Sequence, residues 1–147
     1  MPVQLYLDAA VLVSLYVPEG TTAAAESLVF GEAEVAVSSL TLLETRVALE
    51  RKRKAGKLQP SAVAAVRARI EAEVSSGRLR LYAVEDADYH GADAISQRVP
   101  GPIRSLDAIH AAVAQRLGLA LVTLDQRLYE AARAAGISTR WVDPAIR

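Results

Sequence analysis

Short runs of consecutive apolar residues alternate along the chain with longer stretches in which apolar residues recur every three or four positions. The first pattern predicts strands buried on both faces, and the second predicts helices packed on one side. Residues 3–7 read as the first strand, ending at Asp8. A helix follows over 10–17, stopped by Pro18, and Thr21 or Thr22 caps another that reaches about Phe30. Residues 34–37 make a second strand. Ser38 or Ser39 then opens a helix through Lys54 that Gly56 ends. Residues 61–75 are helical, with Pro60 near the start and Gly77 just past the end. A third strand spans 80–84, and Asp86 or Asp88 caps a helix to about Arg98. Pro100-Gly101-Pro102 forces a loop. Residues 105–117 are helical and stop at Gly118. Residues 119–124 form a fourth strand, and 126–135 a helix ended by Gly136. A last strand covers 139–142.

Strands separated by helices require crossover connections. The expected fold is therefore α/β: one domain over 1–147, with a mostly parallel sheet of about five strands and helices on both faces. Composition permits this, since 147 residues that are 52% hydrophobic and 23% charged can bury a core. A formal net charge of zero argues against a protein that coats polyanions generally, but is silent on local patches. With no cysteine, disulfides, zinc–thiolate sites and thiol catalysis are excluded. The apolar stretch 5–17 is broken by Asp8 and too short to span a bilayer. Met1-Pro2-Val3-Gln4 lacks a basic n-region, so the expectation is a cytoplasmic protein without a membrane partner.

In parallel sheets ligands bind beyond the carboxyl ends of the strands, so the residues standing there matter most. Asp8 follows VQLYL and Asp125 follows LALVTL. Thr123 shares a strand face with Asp125, where its hydroxyl can hold a ligand carboxylate or a water. An Asp at a strand end is also an ordinary turn or helix cap, and either residue alone reads that way as readily. Helical geometry puts Glu44 among Leu40, Leu43, Val47 and Ala48, on a face that reads as inward. A carboxylate there needs a partner: Arg51 further along the helix, or a cation in a cleft. Asp107 stands in the first turn of a helix capped by Ser105, where the helix dipole already favours an acid. It shares a stripe with Ala111, Ala114 and Gly118, which points it toward the sheet edge. His110 falls on the stripe of Leu106, Val113 and Leu117. It reads as a hydrogen-bonded core histidine rather than as a metal partner of Asp107.

These residues and their surroundings resemble the PIN-domain family, especially the VapC-type toxins of bacterial toxin–antitoxin pairs. YLDAAVLVSLYVPE resembles the family's first strand and helix, with its first acid at Asp8. SSLTLLETRVAL resembles the segment of the second acid, at Glu44, and RSLDAIHAAVAQRLG that of the third, at Asp107. LALVTLDQRLYEAA resembles the fourth motif, with Asp125 as its acid and Thr123 as the hydroxyl of T-x-D. The likeness runs from Leu5 to Asp143. One departure is Ala10, where the family often has a small hydroxyl or amide residue, so a hydrogen bond near Asp8 is expected to be missing.

The resemblance implies RNA as substrate, 5′-phosphate and 3′-hydroxyl products, a homodimer, and a small antitoxin whose segment occupies the acidic cleft. The residue chemistry is compatible. Four carboxylates in one pocket cannot all stay ionised without a counter-charge, and oxygen donors without His or Cys select Mg²⁺ or Mn²⁺ over zinc. The expected activity is phosphodiester hydrolysis by a metal-activated water. Asp8, Glu44 and Asp107 are then the main ligands, while Asp125 binds a second ion or orients the water. Arg104 and Arg127 flank the third and fourth acids and read equally as phosphate contacts or as surface ion pairs. The basic run 50–57 sits at a helix C-terminus, where the dipole favours it without RNA; phosphate contact is the runner-up. Leu12, Leu15, Tyr16 and Val17 supply an interface or plain core, with core as the default. A receiver-type phosphoacceptor fits poorly, because Asp8 is followed by Ala9-Ala10 and the late strands end in Asp125 and Asp143. A non-catalytic or weakly active PIN-fold module that binds protein or RNA stays open because of Ala10.

Overall fold

The computed structural model describes residues 4–29 and 34–144. Within them, strands β1 (Gln4–Leu7), β2 (Glu34–Ser38), β3 (Leu79–Tyr82), β4 (Ala120–Thr123) and β5 (Thr139–Trp141) form one sheet in the order β3-β2-β1-β4-β5. Every pairing is parallel. Seven helices connect or follow the strands: α1 (Ala9–Tyr16), α2 (Thr22–Val29), α3 (Ser39–Lys54), α4 (Pro60–Ser76), α5 (Asp86–Arg98), α6 (Ser105–Leu117) and α7 (Gln126–Ala134). Val3 and Phe30, which the pattern gave to the first strand and second helix, lie outside the described residues. No helix among the described residues is long and apolar enough to cross a membrane.

Alternation along each strand splits the core into two layers. Leu5, Leu7, Val37, Ala120 and Val122 face α1, α2 and α4, where Leu12, Ala25 and Ile70 meet them. Tyr6, Ala36 and Leu121 face the opposite layer, built from α5, α6 and α7. A satellite cluster of Val13, Val17, Leu49 and Val63 joins α1, α3 and α4. Leu12 and Val17 are thus core, as the default reading held, and Leu15 and Tyr16 pack partly buried against it.

Element ends differ from the sequence reading where side chains compete for a cap. Asp8 is the N-cap of α1, so that helix starts at Ala9, one residue earlier than read. Glu85 caps α5 and exchanges capping-box bonds with Asp88, whereas Asp86 and Asp88 lie inside the helix. Arg104 occupies the cap position of α6, so Ser105 is its first helical residue rather than its cap.

Helices α5 and α6 pack closely, and that contact sets the position of α6. A Cβ on Gly91 would meet the Cβ of Ala112 at 3.2 Å, so glycine permits the approach. Beside it Asp88 accepts from Arg116 Nε at 2.7 Å and from a terminal guanidinium nitrogen at 2.9 Å. Desolvation of Asp88 is outweighed by these bonds, the Glu85 N–H and the Arg116 charge. Its carboxyl titrates below the usual range.

Candidate active site

Strand order β3-β2-β1-β4-β5 puts β1 and β4 side by side at the point where the chain reverses its direction of growth across the sheet. The crevice outside the carboxyl ends of two such strands is where open parallel sheets bind ligands. Asp8 directly follows β1, and Asp125 lies two residues past the end of β4. Glu44 comes from α3 and Asp107 from the first turn of α6. All four line one cleft of about 300 Å³ with Ala9, Ala10, Arg104, His110 and Leu124. Arg127 does not reach this cleft; it lines an adjoining one of about 240 Å³ with Arg104, Asp107 and Asp125.

Both strand-end acids are also helix caps. Asp8 Oδ1 accepts from the Val11 N–H at 3.0 Å, and Asp125 Oδ1 accepts from Arg127 N–H at 2.9 Å and Leu128 N–H at 3.3 Å. The ordinary capping role and a place in the cleft are therefore not alternatives. Thr123 ties the pair together: its buried hydroxyl hydrogen-bonds the Asp8 carboxylate and accepts the Asp125 N–H at 3.0 Å. Ala10 lines the cleft without a polar group, and Thr123 supplies the hydroxyl beside Asp8.

Charge is crowded here. Burial pushes the Asp8 carboxyl up, bonds from Thr123 and Val11 pull it back only in part, and the Asp107 charge adds to the rise. Asp107 is likewise raised, first by desolvation and then by the Asp125 charge, with Arg104 as an opposing cation. Both shifts come first from burial, and repulsion between neighbouring acids adds to them. All four acids are hard oxygen donors, which fits a divalent cation such as Mg²⁺ or Mn²⁺. As the side chains stand, no three His, Asp or Glu among the described residues form a preassembled cage. The fit is one of donor chemistry, with the carboxylates of Asp8, Glu44 and Asp125 held by hydrogen bonds from the protein.

Glu44 departs most from its sequence reading. Of the inward neighbours expected for it, Leu40 and Ala48 do pack partly buried against the core, but Leu43 and Val47 are 58% and 46% exposed, so their side of α3 opens to solvent. Its partner is not Arg51. His110 Nε2 meets Glu44 Oε1 at 2.5 Å, and His110 is only 2% exposed. His110 is the hydrogen-bonded core histidine expected, but its bond to an acid of the cleft was missed. Tyr6 was missed too: its hydroxyl lies 2.6 Å from His110 Nδ1 and 2.7 Å from Ser38 Oγ. The available signal was a tyrosine inside a fully buried strand, whose hydroxyl must find a partner.

A groove of about 700 Å³ leaves the cleft along α1 and α3, over Val13, Leu43, Val47, Ala48 and Leu106, with Arg51 and Lys52 at its side. Of the basic run, Arg53 pairs with Glu50 and Lys52 with Glu19.

Residues 5–134 match the family model of the PIN domain. No curated protein sequence matches the chain. Among solved structures, a toxin–antitoxin complex from Klebsiella pneumoniae has a chain similar at TM-score 0.68 and 16% identity, covering 95% of this chain and 98% of that one. FitAcB from Neisseria gonorrhoeae gives TM-score 0.67 and 20% identity, covering 98% and 100%. VapC20 of Mycobacterium tuberculosis, described as a sarcin–ricin loop cleaving toxin, gives 0.68 and 20%, covering 91% and 96%. At these identities the likeness is one of fold.

Proposed function

Since the chain belongs to the PIN-domain family, we propose that it is a Mg²⁺- or Mn²⁺-dependent endoribonuclease, the toxin of a toxin–antitoxin pair. The observation that carries this reading is the convergence of Asp8, Glu44, Asp107 and Asp125 on one cleft at the ends of β1 and β4. RNA as substrate is supported by the fold shared with VapC20, described as a sarcin–ricin loop cleaving toxin.

Asp8, Glu44 and Asp107 would hold the ion, with Asp125 holding a second or orienting the attacking water. When bound, the ion supplies charge to the phosphate and acidity to water. The chain's own part is positional. Thr123 and the Val11 N–H fix Asp8, the α7 N-terminus fixes Asp125, and Arg104 stands where a substrate phosphate would pass between the two clefts. Arg127 would contact the next phosphate in the adjoining cleft.

An antitoxin segment is the second expected partner, supported by the fold shared with a chain of the Klebsiella pneumoniae toxin–antitoxin complex. The groove over Leu43, Val47 and Leu106 that opens into the acidic cleft suits an extended segment with apolar residues and a terminal cation. The exposed apolar face of α3 would serve a homodimer equally. A weakly active binding module is favoured by one observation, that no carboxylate cage is preassembled among the described residues.

One assay separates these readings: cleavage of RNA with Mg²⁺ or Mn²⁺, against EDTA and against Asp8→Asn. Metal-dependent cleavage lost in Asp8→Asn supports the nuclease. Cleavage in EDTA, or full activity in Asp8→Asn, refutes the mechanism. RNA or protein binding without cleavage points to the module.

A further inference from the structure

Beneath the acidic cleft lies a buried polar chain that no expected role of the four acids uses. We propose that Tyr6 and His110, braced by Ser38, are positioning residues that fix the carboxylate of Glu44 in the cleft. The proposal rests on the reading of that cleft as a metal-binding nuclease site.

The donors and acceptors of the chain can be assigned one by one. The Glu44 carboxylate only accepts, so His110 Nε2 carries the proton of their 2.5 Å bond. With that proton on Nε2, the tautomer leaves Nδ1 as an acceptor, and the hydroxyl that meets it is that of Tyr6, at 2.6 Å. The Tyr6 phenol has one proton to give and lies within hydrogen-bond distance of that nitrogen, so it is the donor there. Its one proton being spent on His110, its oxygen accepts from Ser38 Oγ at 2.7 Å. Ser38 Oγ in turn accepts the Thr41 N–H at 3.2 Å, and Thr41 Oγ1 accepts the Ser38 N–H at 3.2 Å. The single Thr41 hydroxyl proton goes to the Leu7 carbonyl at 3.0 Å, the nearer of its acceptors, rather than to the Tyr6 oxygen at 3.3 Å. Each hydrogen has one destination, running Ser38 to Tyr6 to His110 to Glu44.

This chain begins in the capping box of α3, the helix that carries Glu44. It crosses the sheet through β1, two residues before Asp8, and returns through α6, three residues after Asp107. Tyr6, Ser38, Thr41 and His110 are all buried. Glu44 itself is partly exposed on a helix face open to solvent, where a glutamate would otherwise sample many rotamers. The relay removes that freedom and sets the carboxylate beside the other acids. Outer partners of this kind orient ligands, and removing one costs about 10- to 100-fold in metal affinity or activity.

The test uses the full chain labelled with ¹⁵N, together with Mn²⁺ titrations. Long-range proton–nitrogen spectra are expected to show His110 protonated at Nε2 with Nδ1 as an acceptor. Glu44→Gln should shift the Nε2 signal, and Tyr6→Phe the Nδ1 signal. By calorimetry, Mn²⁺ should bind about 10- to 100-fold more weakly to His110→Ala. His110→Gln, whose amide N–H stands near the place of Nε2, should recover most of that loss, and Tyr6→Phe should show a smaller one. A proton on Nδ1, a Nε2 signal indifferent to Glu44→Gln, or unchanged Mn²⁺ affinity in folded Tyr6→Phe and His110→Ala overturns the proposal. If His110→Ala does not fold, Tyr6→Phe and His110→Gln decide it. A wild type that neither binds Mn²⁺ nor cuts RNA refutes the nuclease reading; the nitrogen spectra still judge the relay.

Discussion

Replacing Asp88 by Ala tests whether one buried ion pair fixes α6, and with it Asp107 and His110. Asp88 is 1% exposed and accepts two bonds from the Arg116 guanidinium as well as the Glu85 N–H at 2.8 Å. Breaking a fully buried pair costs about 3–5 kcal/mol, because the remaining charge is stranded. Arg116 is not fully stranded: its side chain is 27% exposed, and it keeps the Ala83 carbonyl at 3.1 Å and the Glu85 carboxylate at 3.6 Å. The lower end applies, about 3 kcal/mol for Asp88→Ala. For a chain of this length that is a fall of about 6–12 °C in Tm. Asp88→Asn keeps a group able to accept the Glu85 N–H and should lose about 2 kcal/mol, the charged share of the pair. The assay is chemical or thermal unfolding of both variants, of Arg116→Ala and of Asp88→Ala with Arg116→Ala. The pH dependence has a definite sign. A carboxyl that titrates low in the folded state stabilises above its ordinary value of 3.8, and that stability is lost as pH falls through the folded value below it. The gap between wild type and Asp88→Asn should be full at neutral pH and close under acid conditions. A loss below about 1 kcal/mol, or a coupling within the additivity error of about 0.5 kcal/mol, would refute the assigned role.

Three further outcomes follow from the site and its supports. Asp8→Asn removes a buried charge crowded by Asp107 yet keeps an oxygen for the Val11 N–H. The metal-free variant should melt at or above wild type by scanning calorimetry and lose the rise in Tm that Mn²⁺ gives wild type; a lower metal-free Tm contradicts the crowding. Thr45 Oγ1 is the buried side-chain polar atom without a hydrogen-bond partner among the described residues. Thr45→Val should therefore be neutral or stabilising by about 1 kcal/mol in urea unfolding, and a clear loss would mean the hydroxyl is satisfied in solution. Arg104→Ala should weaken RNA binding to an inactive Asp8→Asn background and flatten the salt dependence by about 0.7 in log K per log salt, one phosphate contact on a single strand; an unchanged slope removes Arg104 from the substrate path.

The chain's local pattern determined much of this protein. Apolar runs of strand length alternating with helical periods gave the strands, the helices, the parallel sheet and the placing of Asp8 and Asp125 at strand ends. The reason is that side-chain periodicity and caps are properties of neighbouring residues. The motifs around the four acids carried the family likeness for the same reason, since each lies on one continuous element. What the local pattern left open was every partnership made across the sheet. Glu44 and His110 are 66 positions apart, Tyr6 and His110 104 apart. They meet only because the order β3-β2-β1-β4-β5 brings β1 against β4 and sets α3 and α6 above the same strand ends. The same packing exposes Leu43 and Val47, which helical periodicity alone had turned inward: α1 and α4 cover the other side of α3, around Leu49. Tertiary structure thus decided which face of α3 is wet and which group holds Glu44, because burial depends on what a helix packs against, and no local period encodes that.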